Sequence, residues 1–372
     1  MKKIVLVLVA VLALYGEGKA CTSAIVAANR SSEGAALLWK HRDSQFANTR
    51  VDYIADGKYA FSAIVSNKSD YKVGPYVGIN EVGLGVMNTA TRKLPKATEE
   101  EWNACTKAFN SDTFRTLMRY ALQNCSTVAE FEEYIRSTKR VRGFNTNIGI
   151  ADAHGAAAYF EIWDLGYRRY DVCEQSDGFD VRSNFSFAGD PKAGTSFRRY
   201  DVIKRKMSAN NGNFTPQDFV AYSRSYDSIE FGDVLATNDC YRCENHTVPR
   251  TTSVSVAVLV CDAKNPRMLV MNGHPASSLA VPVYVKAKEA IPHCVKGKAM
   301  YRLSEKFCSK AYSSRANLGA ELNKEVVRKV LALGDACAEM PAEMPADIKS
   351  FNKELGKLYV GHAKAVKKAM KK

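Results

Sequence analysis

Past residue 20, the 372-residue chain has no apolar run near the roughly 18 residues that a membrane-spanning helix needs, so the folded part is expected to be soluble. It also has no internal repeat and no low-complexity tract, which excludes solenoids and arrays. Acidic residues are in deficit: 39 Asp and Glu stand against 53 Lys and Arg, a formal charge of +14. The basic residues are spread along the chain, with one cluster at its end from Lys364 to Lys372. Such a spread reads as a solvated surface, and no nucleic-acid partner is expected. Cys240 and Cys243 form a CxxC, but there is no second one, and His246 brings the nearby ligands only to three. A local disulfide or plain loop thiols is therefore expected there, with no metal and no cofactor. Histidine is scarce, and no spacing couples His41, His154 or His274 to a cysteine as a catalytic pair. All three read as loop or surface residues.

What is present begins with the leader. Lys2 and Lys3 precede an unbroken apolar run from Ile4 to Leu14, and Gly18-Lys19-Ala20 supplies small residues before Cys21. These are the parts of a secretory signal, too short in its apolar run for a permanent span. The protein is expected to be exported, periplasmic or secreted, with signal peptidase as the partner that frees Cys21. A lipoprotein signal is the rival, because a cysteine after the cleavage point invites acylation. Lys19, beside Ala20, and the absence of Leu at the third position back argue against it. Setting the leader aside leaves 352 of the 372 residues and a charge of +12, enough for one large domain or two modest ones. If Cys21 is kept for chemistry, nine of the ten cysteines remain, so at least one more is free or lies between chains. Cys261 ends the apolar run from Val256 and is expected to be a buried thiol.

The pattern from Cys21 to Ala28 is that of a buried strand, Asn29 to Gly34 is a turn cluster, and Ala35 to Trp39 is a second strand running into Lys40-His41-Arg42-Asp43. An antiparallel hairpin centred between Ser31 and Ser32 sets Cys21 opposite Arg42, with Asp43 one step beyond. Further strands are expected over Tyr59–Val65 and Gly74–Val86, with a tight turn at Asn80-Glu81, and as hairpins around residues 152–155 and 264–267. Helical spacing marks Ser111–Gln123, Thr127 and Glu130 form a capping box, and Thr215-Pro216 opens another helix. Blocks of strands between paired helices predict a layered α+β fold. Residues 304–338 and 346–370, divided by Pro341 and Pro345, read as a helical C-terminal region packed on the main domain, with Ile348, Phe351, Leu355, Leu358 and Val366 near helical spacing.

A thiol on a free N-terminus has its base built in. The α-amino group has an ordinary pKa near 8 and a thiol one near 8.5. The amine can take the thiol proton and later give it to a leaving amine. Attack on an amide gives a thioester, which water hydrolyses or a second amine intercepts. The oxyanion needs donors from Asn side chains or backbone N–H groups.

The segments CTSAIVAANR, GAALLWKHRDS, GINEVGLGVMNTA, VRSNFSF and TSFRRYDVI, in that order over residues 21–285, resemble the cysteine N-terminal-nucleophile hydrolases. That group includes choloylglycine hydrolases, penicillin V acylases and acyl-CoA:6-aminopenicillanic acid acyltransferases, and the acyltransferase-like branch is the nearest. The resemblance implies a four-layer αββα sandwich over residues 21–300, a helical extension over 301–372, linear-amide C–N chemistry on a small-molecule amide, and assembly as a homo-oligomer. It assigns Cys21 as nucleophile and Arg42 and Asp43 as the pair holding it and its amine. Asn88 becomes an oxyanion asparagine, with Thr89 as a stand-in, and Asn184 a second asparagine near the attacked carbonyl. Arg199 becomes the later arginine, with Arg198 as rival. Two other functions stay open: a related cysteine dipeptidase, and a non-catalytic binding protein anchored through an acylated Cys21.

Overall fold

The computed structural model describes residues 21–45, 48–66, 74–105, 114–138, 145–190, 196–237, 246–315 and 319–371. The leader and the Cys240–Cys243 pair lie outside the described residues. In chain order come β1 (Cys21–Val26), β2 (Leu37–Asp43), β3 (Thr49–Ile54), β4 (Phe61–Ser66), β5 (Val77–Asn80), β6 (Gly85–Ala90), α1 (Glu99–Cys105), α2 (Phe114–Asn124) and α3 (Val128–Ser137). Then follow β7 (Thr146–Ala151), β8 (Ala157–Ile162), β9 (Tyr167–Asp171), β10 (Phe179–Arg182), α4 (Phe197–Ser208), α5 (Pro216–Arg224), β11 (Asp227–Ser228) and β12 (Gly232–Asp233). The last part holds β13 (Ser253–Val260), β14 (Arg267–Met271), β15 (Val281–Tyr284), α6 (His293–Lys296), α7 (Ala299–Ala311), β16 (Tyr312–Arg315), β17 (Gly319–Leu322), α8 (Lys324–Leu331) and α9 (Ile348–Ala369).

Two antiparallel sheets carry the fold. The first runs β10-β1-β2-β13-β14-β15, and the second is a meander from β3 to β9 in sequence order. Alternation along each strand gives each sheet two apolar faces. Ile25, Leu38, Leu259 and Val270 of the first sheet meet Ile64, Ile79, Met87 and Tyr159 of the second in one buried core. The outer face of the first sheet, with Ala24, Val26, Leu37 and Trp39, packs under Ile203 and Met207 of α4 and Phe219 and Val220 of α5. The outer face of the second, with Phe61, Ala63, Val86 and Phe160, packs under Leu117, Met118 and Leu122 of α2 and Phe131 and Ile135 of α3. The order helix, sheet, sheet, helix is the αββα sandwich expected.

The local signals act as their chemistry dictates. Thr127 and Glu130 close a capping box on α3, and Thr215 with Asp218 does the same on α5, where Pro216 sits in the first turn. The C-terminal helices join the inter-sheet core through Phe307, Val327, Leu355, Tyr359 and Val366. On α9, Phe351 is half-buried against that core, whereas Leu358 faces out, 49% exposed. One expectation fails: residues 304–338 are not helical throughout, because β16 and β17 form a two-stranded ribbon between α7 and α8. Ser313, Ser314 and Gly319 are weak helix formers, and Tyr312 is drawn to the core, where its hydroxyl lies 2.9 Å from that of Tyr226. Cys261 is a free, buried thiol, and so are Cys21, Cys125 and Cys294. Among the described residues no helix is long and apolar enough to cross a membrane.

Candidate active site

The site grows from the β1–β2 hairpin. Cys21 pairs with Arg42 and Ser23 with Lys40, which is the register that the Asn29–Gly34 turn predicts. On the other side of β1, Ser23 pairs with Arg182 of β10. Continuing that antiparallel register past the end of β10 brings Asn184 beside Cys21. Two residues far apart in the chain thus meet because two strand ladders share β1.

The backbone of Cys21 is held at both ends. Its nitrogen donates to Asn184 Oδ1 at 2.6 Å. Its carbonyl oxygen accepts from Arg199 Nη1 at 2.9 Å and from Ser183 Oγ at 3.1 Å. Arg199, in the first turn of α4, also donates to Thr22 Oγ1 at 3.0 Å and, through Nη2, to Asn184 Oδ1 at 3.0 Å. Two donors that cannot accept therefore fix the Asn184 carboxamide with its oxygen toward Cys21. Its amide nitrogen faces away and donates to Ala90 O at 2.6 Å. Arg199 is buried, and desolvation pulls its guanidinium down to about 10, still charged at neutral pH.

Asp43 lies on the outer face of the same sheet. Ser253 Oγ donates to its Oδ1 at 2.7 Å, His41 Nε2 lies 3.2 Å from Oδ1, and Arg199 Nη1 lies 3.9 Å from Oδ2. Burial pushes the Asp43 carboxyl up, but the His41 hydrogen bond and the charges of Arg250 and Arg199 outweigh it and hold the group below the usual carboxylate range. Among the described residues Oδ2 has no hydrogen-bond partner, so one buried acceptor stands ready beside the start of β1.

The remaining candidates separate by geometry. Arg42 is buried with its guanidinium 3.8 Å from the Tyr76 ring centre, and Arg115 stacks near the same ring at 4.7 Å. Along β6, Met87 packs between the sheets and Val86 under the helices, so alternation turns Thr89 toward β1 and Asn88 the other way. The Thr89 hydroxyl is indeed engaged, 2.8 Å from Ser23 Oγ. Asn88 is buried and meets the site through its backbone carbonyl, which accepts from Lys40 Nζ. Arg198 points elsewhere, 2.7 Å from His246 Nε2 and 3.7 Å from Glu230, so of the two adjacent arginines only Arg199 reaches Cys21.

No protein-family model and no curated protein sequence matches the chain. Solved structures are similar to it at low identity. A Caenorhabditis elegans N-acylethanolamine-hydrolyzing acid amidase ortholog is 17% identical over 64% of this chain and 92% of its own, with a TM-score of 0.41. A variant of conjugated bile acid hydrolase from Clostridium perfringens is 14% identical over 72% and 93%, with a TM-score of 0.44. Penicillin V acylase from Agrobacterium tumefaciens is 13% identical over 72% and 86%, with a TM-score of 0.41. These proteins are members of the family that the sequence resembles.

Four residues of the neighbourhood escape the sequence. Lys40 and Ser253 carry no motif; a lysine in a strand reads as surface and a serine as anything. His41 and His274 overturn their reading as loop or surface residues, because both are fully buried, whereas His154 is exposed as expected. His41 sits edge-on to Trp39 at 6.3 Å and joins the Asp43–Ser253 cluster. His274 Nε2 lies 3.0 Å from the Tyr312 hydroxyl, and its Nδ1 accepts from Ala276 N at 3.2 Å. Each ring meets in the core a hydroxyl that lies away in sequence, although His41 Nδ1 has no hydrogen-bond partner among the described residues.

Burial, with a smaller push from His41, lowers the His274 imidazole to about 3. The folded protein thus keeps this ring neutral while the unfolded chain protonates it near 6.5. Stability from this group is complete above about pH 6.5 and falls as pH drops toward 3, by up to about 1.4 kcal/mol per pH unit. His362 is lowered in the same sense. Urea unfolding at pH 7, 6, 5 and 4 is expected to show a shallower acid slope in His274→Gln than in the wild type. Parallel curves for the two proteins would refute the assignment.

Proposed function

We propose that this chain is an exported amide hydrolase whose nucleophile is the thiol of Cys21, exposed as the first residue after removal of the leader. The observation that carries this reading is the seat built for the Cys21 backbone: nitrogen on Asn184, carbonyl on Arg199 and Ser183. An ordinary strand cysteine needs none of these side chains, because its ladder partners would serve.

Cutting the Ala20–Cys21 bond turns the Cys21 nitrogen into an amine without moving it. Asn184 Oδ1 then accepts one N–H of the amine and orients the group. The unpartnered Oδ2 of Asp43 gives a protonated amine a carboxylate to face. The amine carries protons between sulfur, leaving amine and water. Sulfur attacks the amide carbonyl, the C–N bond breaks, and water releases the acyl group from the thioester. The resemblance gives the oxyanion to Asn88, but alternation along β6 turns that side chain away from β1, and the Thr89 hydroxyl is already taken by Ser23, so neither side chain is aimed at the attacked carbonyl here. Arg42 supplies positive charge across the ladder from Cys21. The substrate class is a small molecule with an acyl group on an amine. Hydrolysis is preferred here to acyl transfer, and no metal or cofactor enters.

The test is the intact mass and N-terminal sequence of the exported protein, followed by a panel of N-acyl amines, conjugated acids and free dipeptides. A chain starting at Cys21 that releases amine from N-acyl substrates is the expected result. Turnover of dipeptides alone would replace the acyl-amine reading with a dipeptidase. A lipid-sized mass on Cys21, or full activity from a chain starting elsewhere, would overturn the mechanism.

A further inference from the structure

Lys40 lies between the two sheets and is almost fully buried, 1% exposed. Alternation along β2 explains its place: Leu38 packs in the inter-sheet core, Trp39 in the outer one, and Lys40 shares the Leu38 face. That is also the face of Cys21, Ser23 and Ile25 on β1. The Lys40 Nζ donates to the Asn88 carbonyl and is within hydrogen-bond reach of the Cys21 thiol. Among the described residues it forms no salt bridge with a carboxylate. Ser23, directly opposite Lys40 in the ladder, has its hydroxyl engaged by Thr89 at 2.8 Å and Tyr159 at 3.0 Å.

A buried ammonium is costly without an anion. The ionisable groups facing Lys40 are few. Cys21 comes from β1, and Arg42 and Asp43 come from its own strand. Tyr159 of the second sheet stands behind Ser23, its phenol pushed up by burial beyond the working range. Asn88 and Thr89 of β6 and Ala257 of β13 do not titrate. Arg42 repels Lys40, and Asp43 belongs to the opposite face with His41 and Ser253. Among the described residues only the sulfur of Cys21 is both within reach and able to become the missing anion.

We infer that Lys40 is the proton partner of the nucleophile: one proton is shared between Cys21 Sγ and Lys40 Nζ, and it rests on Lys40 so that sulfur stands as a thiolate. This rests on the proposed Cys21 chemistry and reassigns one proton within it. Sulfur attacks with its own electron pair, forming the S–C bond while the carbonyl pair moves to oxygen. Collapse breaks the C–N bond, and the leaving amine takes its proton from the Cys21 α-ammonium. The neutral α-amine then takes a proton from the attacking water, and the thiolate departs back to Lys40. Each proton given is regained, and no outside reactant beyond water is used. Burial holds the Lys40 ammonium below its ordinary value, and the charge and hydrogen bond of the Cys21 sulfur offset that only in part, a mutual dependence that a shared proton requires.

The experiment needs no substrate, which separates it from the fate of the amide reading. The mature protein is alkylated with iodoacetamide from pH 5 to 9, and modification of Cys21 is followed by peptide mass spectrometry. In Lys40→Met the rate at pH 7 is expected to fall about tenfold or more, with the midpoint moved up by about one pH unit or more. Lys40→Arg, which keeps a fixed charge, is expected to recover most of the rate. Wild-type rate and midpoint in Lys40→Met, or the same shift from Arg42→Met in place of Lys40→Met, would overturn the inference. If the methionine variant does not fold, the wild type decides through thiolate absorbance near 240 nm, measured against Cys21→Ser. A midpoint well below the ordinary thiol value of about 8.5 sustains the inference, and one at or above it ends it.

Discussion

Cys21→Ser is expected to abolish amide hydrolysis, by about a thousandfold or more, in a protein that melts within a few degrees of the wild type. The fold tolerates the change because one small buried atom is exchanged, Cys21 being 7% exposed. The contacts that seat residue 21 are made to its backbone nitrogen and carbonyl, and serine keeps both. The chemistry does not tolerate it, because the hydroxyl is a far weaker nucleophile than a thiolate and the neighbouring groups suit sulfur. The measurement is turnover of an N-acyl amine per folded molecule, alongside a thermal melt. Activity within tenfold of the wild type would remove Cys21 from the mechanism, whatever else the site does.

The second large effect separates two adjacent arginines. Arg199→Gln strips a buried guanidinium from the Cys21 carbonyl, the Thr22 hydroxyl and the Asn184 carboxamide together, and takes a positive charge from Asp43. Hydrogen bonds to a charged group are worth about 1.5–3 kcal/mol each, and because Ser183 still serves the Cys21 carbonyl and the Cys21 N–H still serves Asn184, a loss of about 3 kcal/mol is the expectation. Turnover per folded molecule is expected to drop at least a hundredfold, because Asn184 loses one of the two donors that aim its oxygen at the amine. Arg198→Gln, one residue away, breaks a half-exposed contact with Glu230 and a hydrogen bond to His246. Its expected cost is about 1 kcal/mol or less, with hydrolysis unchanged. Equal losses from the two variants would show that charge near α4 matters and the seat of Cys21 does not.

The degree to which the site was legible depended on how far each contact reached. The Cys21–Arg42 register follows from the Asn29–Gly34 turn, and local chemistry suffices for it. Arg199 could be told from Arg198 only by the phase of α4 against the sheet, which a sequence does not fix to the residue. Lys40 was invisible because its meaning comes from the second sheet: a lysine in a strand is surface until β6 covers it. His41 and His274 failed for the same reason, since the hydroxyls of Ser253 and Tyr312 that they meet lie 212 and 38 positions away. Strands β3, β10 and β15 were missed because they are short or carry charges, proline and polar residues, and pairing defines them more than propensity does.

The two sheets differ in how their strands follow the chain. The second is built in sequence order, each strand beside the one just made. The first joins β2 to β13, and pairs Leu37 with Val260, across more than half of the molecule. Closing so wide a loop costs entropy that only the finished ladder returns, and it is slow. Assembly of the meander is therefore expected to be early and local, while β2, the hairpin partner of the nucleophile strand, is expected to gain its second neighbour late, once residues past 253 have emerged. A chain cut short of β13 keeps Ser183, Asn184 and Arg199, which seat Cys21, but leaves β2 without its second neighbour. On the proposed function, the topology makes a first sheet complete on both sides of β2 one of the last things that synthesis supplies.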